Sequence, residues 1–419
     1  MIFELFTFFK KNKINFCLIN GYEDIVYNQQ TDSDIDILLK KQHFRKIESL
    51  LEQFCLEKDL LIVQVLHHDL WAKNIFLYDL KNNSYLNLDL YGELSRKEIE
   101  FFKEDDIFNT LTTYENIPIL SSEKEFLNYF IKKLDKNDLN IETFEHLYTL
   151  YFKSKNRNKN ILRKFFPKYH NLIINAFSNN TFSVIFDNRQ RLISDFYSTR
   201  KINIKRRILN TLRVIKRIVQ PTGLIISILG PDGSGKSTVI DTLITQQLPF
   251  RRKNYFHLKP IKSQKTDIDT VVTDPHKFPP YSKVKSYVKL LYFIYQYNFG
   301  WIKNILPLKI KSSLIIFDRY YDDILVDYRR YRYGGWRSIA KFARFFIPKP
   351  DIYFILIAEP EVIYVRKKEV PFEELKRQIT AYNSLADGKK YFRIDVNRSP
   401  DEITKEIVAI MMEKMNERF

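Results

Sequence analysis

Cysteine is scarce in this chain of 419 residues: there are two, Cys17 and Cys55. No metal-ligand spacing surrounds either thiol, which excludes a cysteine-built metal site. Two thiols in so long a chain do not make a disulfide framework, and they fit a reducing cytoplasm. Both sit in apolar contexts, as buried structural thiols do. Long apolar runs are also missing. The most apolar stretch, 287–301, is broken by Lys289, Gln296 and Asn298 and falls short of the roughly 20 apolar residues that cross a bilayer. An integral membrane protein is therefore not expected. The opening MIFELFTFFKK lacks the order of a secretory leader: Glu4 interrupts the apolar run, the positive charges follow it, and no small-residue cleavage site appears. The expected location is the cytoplasm.

Negative charge is in deficit. Asp and Glu number 50 against 68 Lys and Arg, a formal net charge of +18. This surplus points to anionic partners (nucleotides, nucleic acid, acidic glycans or a membrane surface) without choosing among them. What is present argues for folding: 45% of residues are hydrophobic and 28% charged, a balance that excludes a disordered chain. Aromatics reach 15%, with 26 Tyr and 34 Phe, read as core and groove walls. The length suggests two or three domains.

Three regions separate by pattern. Residues 1–120 alternate short apolar runs with polar turns, and 16–20, 35–39, 61–66, 74–78 and 85–91 read as strands. A polar loop is expected after Gly21-Tyr22. Residues 121–200 read as helical, opening where Ser122 and Glu125 have capping-box spacing. The stretch 201–222 reads as a basic linker helix. Residues 200–217 hold Arg200, Lys201, Lys205, Arg206, Arg207, Arg213, Lys216 and Arg217 and no acidic residue. Ile204, Ile208, Leu212, Ile215 and Val219 fall near helical spacing. Such a stretch is a connector with a solvated face or a contact with a membrane surface or acidic glycan, the former at the inner face of the membrane. Residues 223–419 change to largely apolar runs at 224–229, 313–317 and 352–357, separated by helical patterns, the signature of a parallel α/β sheet. The expected fold class is a multidomain α/β protein.

The run LIISIL is followed at once by GPDGSGKST, residues 230–238, and then by a helical pattern. Strand, glycine loop and helix in this order are the context in which G-x-x-x-x-G-K-[ST] binds phosphate. Glycines at 230, 233 and 235 let the backbone turn tightly and aim N–H groups at phosphate oxygens. The candidate nucleotide-binding residues are Gly230, Asp232, Gly233, Ser234, Gly235, Lys236, Ser237 and Thr238. Lys236 is expected on the β- and γ-phosphates and Ser237 on magnesium. ATP and Mg2+ are thus the expected cofactors. Asp318 ends the apolar run of LIIFDRYYDD, where a magnesium-binding carboxylate or base belongs, and Arg319 beside it suits an acceptor phosphate. In PDIYFILIAEPEVIYVRKKE, Pro360 opens a helix that ends on Arg366, Lys367 and Lys368. Arg366, and beyond it Arg377, are candidates for neutralising charge on the transferring phosphoryl group.

With these motifs, residues 223 to about 400 resemble the thymidylate kinase-like P-loop kinases. The segments FHLKP (256–260), DPHKFPPYS (274–282) and RYRYGG (330–335) also resemble a subgroup fused to an amino-terminal domain and found in surface-polysaccharide gene clusters. The resemblance implies an ATP-dependent phosphotransferase with Lys236, Asp318, Arg319 and Arg366 as catalytic residues. Thymidylate kinases carry an Arg-Glu-Pro-Gly segment where this chain has His257-Leu258-Lys259-Pro260, and Tyr321-Asp322-Asp323-Ile324-Leu325 replaces their Ser and Ala-Tyr-Gln pattern. The expected acceptor is therefore a small anionic or sugar-related molecule, with His257, Arg330 and Arg332 as its candidate ligands. Authentic dTMP kinase activity, a bifunctional kinase and nucleotidyltransferase, and a non-catalytic ATP-gated scaffold stay open. Nucleic acid is not among the expected partners, and the oligomeric state is not legible.

In SDIDILL, Asp34 and Asp36 alternate with Ile35 and Ile37, so both carboxylates leave one face of a strand. Asp89 lies in the later strand LNLDLYG. Three carboxylates from two strands can hold magnesium for phosphoryl chemistry. This part, about residues 14–95, resembles the polymerase-β-like nucleotidyltransferases, an α+β fold, with Tyr22 where they carry a serine. HHDLWAKNIF, residues 67–76, has the His-x-Asp-x-x-x-x-Asn spacing of a kinase catalytic loop. Too little chain precedes it for a nucleotide-binding lobe, so His67 and His68 are placed in the sheet.

Overall fold

The computed structural model describes residues 1–28, 34–198, 204–261 and 276–419. Ser33, Arg200, Lys201 and Asp274, named above, lie outside the described residues. Two units are formed, one by residues 1–79 and 84–216, the other by 80–83 and 217–419.

The first unit is built on a seven-stranded sheet. Its strands are β1 (Phe16–Leu18), β2 (Ile35–Leu39), β3 (Leu61–Asp69), β4 (Ala72–Asp79), β5 (Ser84–Tyr91), β6 (Thr112–Tyr114) and β7 (Ile117–Ile119). They lie in the order β3-β4-β5-β2-β1-β7-β6. The pairings β2–β5 and β1–β7 are parallel and the rest antiparallel. Because strand side chains alternate between faces, each strand feeds two cores. Phe16, Leu18, Ile35, Ile37, Leu39, Leu88 and Leu90 join one cluster with Leu5, Phe9 and Phe54. Cys17 and Leu38 point the other way, into a cluster with Phe126, Phe130, Tyr151 and Phe177. Those aromatics come from helices between residues 122 and 198. Phe126 packs edge-on against Phe177 with ring centroids 5.4 Å apart.

Asp36 therefore faces the helical side, one position from Ile35 and Ile37, and Asp89 does the same between Leu88 and Leu90. Both thiols are buried, and burial pushes Cys55 up to about 12. His67 and His68 lie in β3.

Some local expectations fail for clear reasons. The strand expected at 16–20 stops at Leu18 and that at 61–66 continues to Asp69. The chain after Gly21 is not a loop but the helix Tyr22–Asn28. The capping box on Ser122 and Glu125 does not form. Helix α1, Ser122–Lys136, takes Ser121 as its N-cap, without a side-chain cap bond. Ser121 Oγ donates to Glu123 Oε1 at 2.9 Å instead. Glu125 is then one position too far along to reach back, and it turns inward to accept from Tyr22 Oη at 3.3 Å.

The second unit holds a five-stranded sheet with β8 (Leu224–Leu229), β9 (Arg252–His257), β10 (Ser313–Asp318), β11 (Ile352–Ile357) and β12 (Tyr391–Asp395). The order is β9-β10-β8-β11-β12, and every pairing is parallel. Strands β8 and β11 are buried at every residue, as largely apolar runs covered on both faces must be. The carboxyl ends of β8 and β10 sit side by side, with Ile228 opposite Asp318.

Candidate functional site

The glycine loop joins β8 to helix α3, Lys236–Thr245. Gly230, Gly233 and Gly235 have φ of 144°, 87° and 84°, conformations that only glycine adopts without strain. Close approach adds to this. A Cβ on Gly230 would lie 2.5 Å from the Leu356 carbonyl oxygen, and one on Gly233 would lie 2.9 Å from Lys367 Cβ. Lys236 is buried and folds back on the loop, its Nζ donating to the carbonyls of Gly230 at 2.9 Å and Pro231 at 2.8 Å. Burial first, and Arg319 second, push its pKa down to about 8. The Ser234 hydroxyl is buried with no hydrogen-bond partner among the described residues. Ser237 and Thr238 are exposed on the first turn of α3.

Arg319 takes its ion pairs from Asp232 and Asp323 rather than from the neighbouring Asp318. Arg319 has φ +67°, a left-handed conformation rare outside glycine and frequent at functional sites. This turns its buried side chain to Asp323, at 2.9 Å, and to Asp232 in the glycine loop. Arg330 binds the other oxygen of Asp232, and Lys236 Nζ stands 3.6 Å from the same carboxylate. Burial raises Asp232, but Glu369, Lys236, Arg319 and Arg330 outweigh it and hold the carboxyl well below its usual range. Asp323 is itself held by Tyr331 at 2.7 Å and by Tyr382.

Asp318 stays available. Its Oδ2 accepts from Tyr255 Oη at 3.3 Å and lies 3.4 Å from His257 Nδ1. Its Oδ1 is buried with no partner among the described residues. Burial raises it, yet the His257 hydrogen bond and the charges of Lys236 and Arg319 win and keep it lowered. An unpartnered carboxylate oxygen and the Ser237 hydroxyl are hard oxygen donors, the kind that suits magnesium.

Not every candidate joins this cluster. Arg366 ends helix α4, Pro360–Arg366, and donates to the Val396 carbonyl at 3.3 Å. Arg377 is paired with Glu374 at 2.7 Å, and Arg332 packs over Tyr281, 4.1 Å from the ring centroid. Asp323, Glu369, Tyr331 and Tyr382 belong to the cluster without having been expected there. The Arg319–Asp323 spacing of four signals Asp323 alone.

In the first unit, Asp36 and Asp89 are register partners on β2 and β5. Lys132 Nζ lies 3.4 Å from Asp36 Oδ2, while Asp36 Oδ1 is buried without a partner among the described residues. Asp34 accepts from Asn87, and Asp89 Oδ1 from Asn74 at 2.6 Å. Burial, then Asp36, raises Asp34. Burial also pushes Asp89 up to about 6, against the Asn74 bond and with help from Asp36 and Asp34. The three aspartates share a neighbourhood. Tyr22 donates to Glu125.

The thymidylate kinase family model matches residues 228–407. Among solved structures, a thymidylate kinase from Candida albicans is similar at 20% identity, over 46% of this chain and 93% of its own, with a TM-score of 0.35. A thymidylate kinase from Ehrlichia chaffeensis is similar at 18% identity, over 45% and 98%, with a TM-score of 0.30. No curated protein matches the chain. The family match, on a parallel sheet carrying a glycine loop, supports a thymidylate kinase-like, ATP-dependent phosphotransferase in the second unit.

Proposed function

We propose that the second unit transfers the γ-phosphoryl group of ATP to a small anionic or sugar-related acceptor, in the setting of surface-polysaccharide synthesis. One observation carries this reading. Arg319, Arg330 and Lys236 converge on one carboxylate, Asp232, inside the glycine loop. Three cations held around a single anion are charge preorganised for phosphoryl oxygens.

The roles follow from position. Backbone N–H groups of the loop from Gly230 to Gly235, except Pro231, which has none, and Lys236 hold the phosphates, with Ser234 and Thr238 beside them. Ser237 and Asp318 would hold magnesium, which would supply positive charge to offset that of the phosphates. Arg319, with Arg330, neutralises charge on the group in flight, and Arg366 does so once it leaves Val396. As the acceptor oxygen bonds to phosphorus, the bond to the β-phosphate oxygen breaks and ADP leaves. The acceptor proton passes to Asp318 or water. His257, 3.4 Å from Asp318, is the ligand this reading gives the acceptor.

The test incubates the full chain with Mg-ATP and a panel of nucleoside monophosphates, sugar phosphates and sugars, reading ADP release and acceptor mass gain. A non-thymidylate acceptor is expected, with turnover lost in Lys236→Ala. Preferential turnover of dTMP would overturn the acceptor assignment, and full turnover by Lys236→Ala would overturn the site. The register pairing of Asp36 with Asp89 favours a second reading, nucleotidyl transfer in the first unit with magnesium on Asp34, Asp36 and Asp89. That reading requires pyrophosphate release that disappears in the double variant Asp34→Ala, Asp36→Ala.

A further inference from the structure

Helix α2, Ile204–Val219, is amphipathic, yet none of its residues is buried. Residues 204–216 belong to the first unit. There the half-buried positions are Arg206, Asn210 and Arg213, which share one helical face. That polar face is the one that docks. Arg206 grips Glu93 with two bonds, at 2.6 and 2.9 Å, and reaches Glu100 at 3.2 Å. Asn210 donates to Glu98 at 3.3 Å, and Arg213 donates to the His67 carbonyl. The opposite face carries Ile204, Ile208, Leu212 and Ile215, which are 74%, 57%, 55% and 50% exposed. The helix is thus fixed by its charges and shows its apolar stripe to solvent.

Apolar side chains in an unbroken stripe are driven out of water, so this face needs a cover. What borders it decides which. Lys205, Arg207 and Lys216 flank the stripe, the helix has no acidic residue, and the whole chain carries +18. A second copy laid on this face would set one basic border against another, which opposes pairing. A soluble acidic polymer would satisfy the cations and leave the stripe wet. An anionic bilayer satisfies both, since acyl chains take the stripe while the long basic side chains reach headgroup phosphates. The helix has 16 residues, about 24 Å, suited to lying in the interface plane. No helix among the described residues is long and apolar enough to cross the membrane.

We propose that α2 binds the surface of an anionic lipid bilayer through Ile204, Ile208, Leu212 and Ile215, with Lys205, Arg207 and Lys216 at the headgroups. This is independent of the phosphotransfer reading. The test co-sediments the full chain with phosphatidylcholine vesicles and with vesicles of phosphatidylcholine mixed with phosphatidylglycerol. Binding to the mixed vesicles is expected, weaker at high salt and reduced about tenfold or more by Leu212→Glu. Arg207→Gln with Lys216→Gln should also weaken it and flatten its salt dependence. Far-ultraviolet circular dichroism checks folding, and the milder Ile208→Ser serves if Leu212→Glu misfolds. Absence of vesicle binding, or binding unchanged by both apolar variants, overturns the proposal. So does a dimer in sedimentation equilibrium that Leu212→Glu dissolves while vesicles bind nothing. Capture by dextran sulfate alone, insensitive to Leu212→Glu, likewise assigns the cations to a polymer.

Discussion

Lys236 is where burial and charge oppose each other most directly. Its ammonium is buried against two carbonyls with Arg319 nearby, and its pKa falls to about 8. Phosphate oxygens would add negative charge beside it and raise that pKa again. Nucleotide binding near pH 8.5 should therefore take up protons from buffer, and affinity should fall as pH rises through about 8. Titration calorimetry in two buffers of different ionisation enthalpy measures the uptake. It should vanish near pH 6, where the lysine is charged in both states, and be absent in Lys236→Met. Glu125 tests a different buried charge. Burial is the main cause that moves its carboxyl from 4.5 up to about 7, with Lys153 and Tyr22 pulling it down. Between those values the folded chain holds a proton that the unfolded chain has lost. The contribution of this group is thus full below about pH 4.5 and lost as pH rises through 7. Glu125→Gln should match the native chain near pH 4 and exceed it at pH 8 by on the order of 2 kcal/mol in urea unfolding. At this scale the motif residues were legible because spacing alone defines them. Glu369 and Tyr382 were not, because only the fold brings them to Asp232 and Asp323.

Elements were legible where hydrophobicity is lopsided. Strands β8 and β11 are wholly buried and largely apolar, and were read with their observed bounds. The edge strands β9 and β12 were missed. Strand β9 buries only Phe256 fully, among Arg252, Lys253, Asn254, Tyr255 and His257, so it is held by its backbone pairing to β10 rather than by a side-chain pattern. Helix α2 was read correctly as amphipathic, but its orientation was not. Which face docks depends on Glu93, which lies more than a hundred residues earlier in the chain. The Glu93 side chain is 2% exposed and is shared by Arg206 and by Lys41 at 3.1 Å. Removing the guanidinium leaves a buried carboxylate short of its main partner, so Arg206→Met should destabilise the first unit by about 3 kcal/mol. Arg206→Lys should recover only part, since an ammonium cannot reproduce the two-bond fork. The loop makes its own demand. Gly233→Ala adds a Cβ at φ +87° against Lys367, and should weaken nucleotide binding about tenfold while β8 stays folded.

At the scale of the whole molecule, the question is how many nucleotide sites the chain has. The family match ends at 228 on its amino-terminal side, so it says nothing about Asp34, Asp36 and Asp89. Those carboxylates have their own sheet and their own pair of apolar clusters, and Lys132 Nζ lies 3.4 Å from Asp36. A ligand that binds only the folded state stabilises what it touches, by about 2.7 kcal/mol at a hundredfold excess over its dissociation constant. Amide hydrogen exchange with and without Mg-ATP resolves this strand by strand. Added protection is expected at β8 and β10, and Lys236→Ala should abolish it; without it the phosphotransfer reading fails. If the aspartates also hold nucleotide, β2 and β5 gain protection that survives Lys236→Ala and is lost in the Asp34→Ala, Asp36→Ala chain. Gain at the first pair of strands without the second removes the nucleotidyltransferase reading. It also leaves Lys132 as the permanent counter-charge of Asp36, in which case Lys132→Met should destabilise the first unit and leave ADP release unchanged.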